Sequence, residues 1–316
     1  MILATPCRQR GVALLVAILL VALATIVAAT VAFNNAMAAR RGAAAMTFDQ
    51  ALLYAGAAEA LAAYALREDL LASSQRDDIS ELWAQPYGPL EIQPGVWLEA
   101  RLEDMQGRFN LNNLVTDEGV VDPIAVEQFQ RLLETLEIEP KWAAMFADWI
   151  DRNVQPELPD GAEDSLYSVQ NPPHRTLNAP VVSVSELLAM PGFDQERFAR
   201  LQPYVAALPP GTKLNTCTAA GIVLDAMTET KQFGIDPEAL ARSRAKGCFP
   251  TLADFEASLA ADDVPKVKGR LQDSSQYFRL RTFVSIGTAE FALYSLMQRE
   301  PATRLARTVL RTYGTD

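Results

Sequence analysis

The sequence predicts an α+β protein built from a long N-terminal membrane-spanning helix, an antiparallel sheet, and a large inserted α-helical domain with helix-hairpin-helix (SAM-like) units. Three observations carry that prediction. An uncharged apolar run fills positions 12–33, period-two strands appear near residue 100 and again at the C-terminal end, and the stretch between them is patterned as short helices.

Val12 to Phe33 reads VALLVAILLVALATIVAATVAF, 22 residues without a charge. As a helix rising about 1.5 Å per residue it reaches roughly 33 Å, enough to cross a hydrocarbon core of about 30 Å. A secretory signal peptide has an apolar stretch of only about 7 to 15 residues, so this run is too long for that ordinary role. A small-residue cut site at Ala36-Met37-Ala38 is the competing possibility. Arg8 and Arg10 precede the run and vote for a cytoplasmic N-terminus, while Arg40 and Arg41 beyond it weaken that vote.

From 34 to 75 the chain is rich in Ala and Leu, with Leu52, Leu53, Ala57, Leu61 and Leu66 near helical spacing and no proline before Ser73, so the helix is expected to continue as a stalk. Pro86, Gly88 and Pro94 then break the chain. Val96, Leu98, Ala100 and Leu102 alternate with Trp97, Glu99, Arg101 and Glu103, the pattern of a half-buried strand. Tyr277 to Ile286, Glu290 to Met297 and Arg304 to Arg311 read as further strands. The α+β unit is therefore assigned to 76–120 together with 273–316, and 121–272 to the inserted helical domain. Within the insert, Ser183 to Phe193 leading into Arg197 to Val205 forms one predicted helical hairpin. Leu214-Asn215-Thr216-Cys217 opens a helix of the other.

Charge and motifs exclude several functions. The 28 Lys and Arg against 39 Asp and Glu leave a net charge of −11, a field that repels phosphate backbones, and no basic stripe crosses the hairpins. Nucleic acid is therefore not an expected partner. The lone histidine, His174, rules out any site needing two imidazole ligands and is expected to cap or pack a loop. No GxSxG, HExxH, P-loop or GxGxxG string is present. Ser243-Arg-Ala-Lys246 matches SxxK but lacks companion motifs, so no enzyme is expected. Asp148, Asp151, Glu157, Asp160, Glu163 and Asp164 make a dense acidic stretch, broken into a loop by Pro156, Pro159 and Gly161. Spacing alone leaves two options, a solvated loop or a hard-cation site of oxygen ligands that suits calcium.

The ordered set of features resembles one family. Arg8-Gln9-Arg10-Gly11 before the apolar run is similar to the leader of type IV prepilins and pseudopilins. Asp104 to Leu114 with its Asn110-Leu-Asn112 segment, the acidic loop, the hairpins and Tyr277-Phe-Arg-Leu-Arg281 resemble the K-type minor pseudopilins of type II secretion systems, the general secretion pathway protein K family. That resemblance implies a pseudopilin-type sheet and a leader, 1–11, removed by prepilin peptidase between Gly11 and Val12. It also implies a single-pass inner-membrane protein with its globular part in the periplasm. Partners would be I-type and J-type minor pseudopilins at the pseudopilus tip and, through them, the major pseudopilin. Val16 stands where most pseudopilins carry glutamate, a departure typical of the K type. The alternatives are a membrane-anchored periplasmic hairpin protein that binds DNA, or a hydrolase.

The resemblance further implies one or two bound calcium ions. Asp151, Glu163 and Asp164 match best, Asp160 stands adjacent, and Arg152 and Asn153 occupy places where some relatives have acids. Cys7 would leave with the leader, and an oxidising compartment would pair the remaining Cys217 and Cys248; two buried thiols are the other option.

Overall fold

The computed structural model describes residues 10–72 and 76–314, so residues 1–9 of the expected leader, Cys7 among them, lie outside the described part. A single helix α1 (Arg10–Leu71) of 62 residues forms the spine. It needs no interruption, because Ala and Leu dominate and proline is absent. Its first part is apolar enough to cross a membrane, with mean hydropathy 3.0 and none of that window buried against protein.

Strands β1 (Tyr87–Gln93) and β2 (Val96–Asp104) follow, then β3 (Phe109–Asn110). Helices α2 (Pro123–Thr135), α3 (Trp142–Ile150), α4 (Asp164–Tyr167) and α5 (Gln195–Leu201) lead to β4 (Val205–Ala206) and β5 (Leu214–Asn215). Next come α6 (Gly221–Ala226), α7 (Pro237–Arg244), α8 (Leu252–Ala257), α9 (Val264–Val267) and β6 (Leu271–Gln272). The chain ends in β7 (Tyr277–Ile286), β8 (Ala289–Glu300) and β9 (Leu305–Tyr313).

The main sheet is antiparallel in the order β1-β2-β7-β8-β9. Along β2, Val96, Leu98, Ala100 and Leu102 are buried while Trp97, Glu99 and Arg101 are exposed, as the alternation requires. The register Val96↔Ile286 through Asp104↔Phe278 places Phe278, Leu280 and Val284 on the same inner face. Strand β1 was not expected from the sequence. Pro86, Gly88 and Pro94 read as chain breakers, yet the strand runs between Pro86 and Pro94 and includes Pro89, because an edge strand tolerates a residue without an N–H. Gly88 adopts φ +95°, and a Cβ there would run into the Leu98 carbonyl oxygen.

Helix α1 lies on the inner face through Ala51, Ala55, Ala58, Ala62 and Leu66. Small side chains at four of these positions let the helix approach the strands closely. The leucines divide differently from the sequence expectation: Leu53 is 74% exposed and Leu61 59%, both on the far side, and Leu52 is half-buried. Glu59 falls in the alanine stripe. Burial alone would raise its pKa, but hydrogen bonds from Arg311 (2.8 and 2.7 Å) and from Ser295 (2.5 Å) outweigh burial and hold it below the usual range.

The insert has its own core, centred on Phe129, Leu132, Phe146 and Tyr167, and this core takes in Phe109, Leu111, Leu114 and Val115, so the insert starts directly after β2 rather than at 121. Asn110 and Asn112 tie it together. Asn112 donates to the carbonyls of Val181 (2.9 Å) and Leu208 (2.8 Å) and accepts from Val181 N–H (2.8 Å), while Asn110 accepts from Leu208 N–H (3.0 Å) and donates to Pro209 (2.9 Å). The first predicted hairpin is a 3-10 helix over Val184–Ala189 with a Ser183/Glu186 capping box, followed by α5. In the second, Leu214 and Asn215 are not helical. They pair in parallel with Leu271 and Gln272, and the helix starts at Gly221.

A buried polar knot fixes the insert to the sheet. Arg299, 3% exposed, donates to Asp69 (2.8 Å), Asp77 (2.5 Å) and the Ser275 carbonyl (2.7 Å), and stacks over Phe278 at 5.0 Å. Asp104 accepts from Ser275 Oγ (2.6 Å), Thr218 Oγ1 (2.5 Å) and Asn215 Nδ2 (3.0 Å). Breaking a buried pair leaves an uncompensated charge, so Arg299→Ala should destabilise by about 3 to 5 kcal/mol. The exposed Arg307→Ala should stay within about 0.5 kcal/mol. Urea unfolding of the detergent-solubilised chain measures both.

Candidate metal loop and assembly surfaces

The acidic loop hangs between α3 and α4. Helix α3 buries Trp149 and Ile150 in the insert core, which fixes Asp148 and Asp151 at its C-terminal end, where the helix dipole disfavours negative charge. Asp148 is the loop's clasp: both its oxygens accept the Glu157 N–H, at 3.2 and 3.1 Å. A side chain at Gly161 would collide with Asp148 Oδ2 and the Glu157 backbone, so only glycine lets the strands of the loop cross here.

Asp151 and Glu163 come together as buried carboxylates. Asp151 is 0% exposed; its Oδ2 accepts from Asn153, while its Oδ1 has no hydrogen-bond partner. Glu163 is 5% exposed; one oxygen accepts from Thr176 Oγ1 at 3.3 Å and the other, Oε1, is likewise unpartnered. Asp164 accepts from Thr176 N–H (3.0 Å) and Oγ1 (3.1 Å), with Arg175 3.7 Å from its second oxygen. Asp160 is exposed on the loop, and its side chain makes no hydrogen bond or ion pair among the described residues. Arg152, the nearby cation, turns away and donates to the Glu118 carbonyl at 3.2 Å. Trp149, Tyr167 and His174 wall the loop, with ring centroids 5.0 to 6.1 Å apart, so the histidine packs against the loop as its sequence position suggested.

Burial pushes Asp148 up to about 7, hydrogen bonds from Glu157 and Ala162 opposing it and the charges of Asp151 and Glu163 adding to it. Burial likewise pushes Asp151 up to about 6, with Glu157 adding, and raises Glu163, with Asp151 adding. Buried acids that lack a basic partner need protons or a metal ion, and hard oxygen donors suit calcium. The orphaned oxygens of Asp151 and Glu163 have the chemistry that a hard cation accepts, and Asp164 is the neighbouring carboxylate. Two groups of three donors within 4.8 Å of one another occur among the described residues, and Asp151, Glu163 and Asp164 are not drawn together to that distance. One is Asp69, Asp77 and Glu81, where Arg299 already pairs with Asp69 and Asp77; the other contains Cys217 and Cys248, which form a disulfide with Cα atoms 4.6 Å apart.

The two arginines of α5 in the first hairpin are engaged within the protein. Arg197 is committed to Glu139 (2.8 and 2.9 Å) and Asp194 (2.5 Å), and Arg200 donates to the carbonyls of Leu136 and Glu137. The sequence signal that could have singled out Asp148 is its spacing of three from Asp151 on a predicted helix, which puts both on one face.

A helix that is apolar along its first part and then serves as the spine of an antiparallel sheet defines a membrane-anchored subunit of the pilin type, here enlarged by an insert between β2 and β7. Comparison with known proteins makes the assignment specific. The family model for type II secretion system (T2SS), protein K, matches residues 107–210. Type II secretion system protein K of Pseudomonas aeruginosa is 36% identical over 92% of this chain and 89% of its own length. That of Klebsiella pneumoniae is 33% identical over 97% of both. The solved GspK-GspI-GspJ complex from the enterotoxigenic Escherichia coli Type 2 Secretion System contains a chain that superposes with a TM-score of 0.77 at 26% identity, covering 87% of this chain and 100% of that one. The chain belongs to the type II secretion system protein K family, and the one long apolar helix among the described residues fits single-pass membrane anchoring.

The raised carboxylates set a pH dependence. Between about pH 4, where unfolded Asp and Glu release their protons, and about pH 7, the folded chain holds more protons than the unfolded one, so stability falls as pH rises. In chelator, the melting temperature should increase as pH is lowered from 7.5 to 5.5, and Asp148→Asn should flatten that slope.

Proposed function

We propose that the chain is a structural, non-enzymatic minor pseudopilin that joins the I-type and J-type subunits at the pseudopilus tip and promotes pseudopilus assembly and secretion. The observation that carries this is the two-sided stalk. One side of α1 is spent on the sheet through alanines, while Leu53, Leu61 and Tyr64 stay 59 to 74% exposed on the other. An exposed apolar helix face in line with a membrane span suits helix packing with neighbouring subunits. The solved complex of a related chain with GspI and GspJ supports the choice of partners.

The basic leader abutting the span supports processing by prepilin peptidase between Gly11 and Val12, with the globular part exported to the periplasm across the inner membrane. N-terminal sequencing should begin at Val12, and Gly11→Val should block cleavage; a start near Ala39 would argue for a released protein instead. Val16 offers no carboxylate for a neighbour's amine, so capture rests on the stalk and head. Val16→Glu should still permit assembly, whereas Leu53→Asp with Leu61→Asp should reduce partner recovery in pull-downs by about tenfold or more, about 1.4 kcal/mol per decade. Unchanged recovery by that double variant would refute stalk-driven assembly.

Calcium is the proposed cofactor, held by Asp151, Glu163 and Asp164, with Asp160 as an outer member. It would neutralise the buried acids and fasten the loop to α3. A ligand that binds only the folded state stabilises by about 2.7 kcal/mol at 100 times its Kd, so calcium should raise the melting temperature by several degrees. Asp151→Ala with Glu163→Ala should remove that rise, and Asp160→Ala should leave most of it.

A further inference from the structure

Between the end of the apolar span at Phe33 and the first acid, Asp49, the only charged residues are Arg40 and Arg41. Helix α1 runs through them without a break, and both are exposed. Neither makes a hydrogen bond or an ion pair with any described residue. No acid lies three or four residues away on either side to pair with them along the helix. The helix around them is bare: over 34–47 every residue is exposed except the half-buried Met37 and Thr47. In a chain of net charge −11 this is an isolated positive collar on an otherwise naked rod.

Helix geometry fixes its height. At about 1.5 Å per residue, Arg40 and Arg41 stand roughly 10 to 12 Å beyond Phe33 along the axis. The polar layer on each side of a bilayer is about 5 to 8 Å thick, so the two Cα atoms sit just outside it. Side chains of a helix lean toward its N-terminus, which here is the direction of the membrane. Long arginine side chains can therefore reach back into the headgroups while their stems follow the helix. Guanidinium groups bind phosphate through two parallel hydrogen bonds, and the only phosphates that the geometry brings to this height are those of the phospholipids.

We propose that Arg40 and Arg41 form a collar that binds the phospholipid phosphates and sets how far the stalk rises from the bilayer. The proposal rests on α1 crossing the membrane at Val12–Phe33. Phosphatidylglycerol, with its net charge, should strengthen the contact over neutral phosphatidylcholine.

The test uses the full chain with Cys7→Ser, the remaining cysteines being held in the Cys217–Cys248 disulfide. A spin label is placed at Ala39→Cys beside the collar, and in a second sample at Val21→Cys within the span. Both are reconstituted in phosphatidylcholine vesicles with and without about 30% phosphatidylglycerol. The collar predicts that phosphatidylglycerol slows the Ala39 label and shifts it toward the bilayer, and that about 0.5 M salt weakens this shift by screening. Arg40→Gln with Arg41→Gln should abolish the lipid dependence, and Arg40→Lys with Arg41→Lys should retain part of it. Equal depth and mobility in the two lipids would overturn the proposal. So would a restriction that appears only when partner pseudopilins are added, which would assign the arginines to a protein contact. A Val21 label found in water would remove the spanning helix itself, and the collar with it.

Discussion

Arg299 is the interaction on which the architecture depends. Its guanidinium gathers Asp69 at the end of the stalk, Asp77 in the connection beyond it, and the Ser275 carbonyl where the insert returns, while its own strand β8 is held between β7 and β9. Removing so many charges from water is unfavourable unless each is paired, and here the pairing partners come from segments about 200 residues apart in the chain. The stalk, the sheet and the insert therefore cannot take up their positions independently. Asp104, Asn215 and Ser275 extend the same network into the insert, so one connected set of hydrogen bonds defines how the two cores meet.

Around that junction, α1 separates its duties by side-chain size. Four alanines and Leu66 face the strands, Leu53, Leu61 and Tyr64 face outward, and one acid, Glu59, pins the contact to β8 and β9 through Ser295 and Arg311. The acid also fixes the register of the helix on the sheet, since a rotation of one residue would bury it without its arginine. A helix built this way holds its own head firmly and still presents a continuous apolar surface to a neighbour.

Much of this was legible in the sequence. The apolar span, the alternation in β2 and the three C-terminal strands follow from periodicity, and the ordered motifs pointed to the family. What was not legible has physical causes. Strand β1 carries Pro89 and Gly88, which an edge position accepts but a propensity argument rejects. The stalk's inner face was masked because alanine stripes carry little hydrophobic contrast, whereas the leucines stand out although Leu53 and Leu61 face away from the sheet. Leu214 and Asn215 form a short parallel pair whose partner lies 57 residues away, a contact no local pattern encodes. At the acidic loop, spacing left a solvated loop and a cation site both open and the family resemblance pointed to Asp151, Glu163 and Asp164, but neither could show that Asp160 is exposed or that Asp148 closes the loop from within.

The placement of the insert has a mechanical consequence. It leaves the sheet at Asp104 and returns at Tyr277, the same end of two neighbouring antiparallel strands. A load that pulls the insert away from the stalk would thus act across the ladder, opening it one hydrogen-bonded pair at a time like a zipper, the weak direction for a sheet. Asp104, Gln106 and Arg299 sit where that opening would begin, with Gln106 accepting from the Gln276 (2.5 Å) and Tyr277 (3.2 Å) N–H groups. They act as the stop of the zipper, so that a pull on the head is passed to the long helix instead of peeling the strands apart.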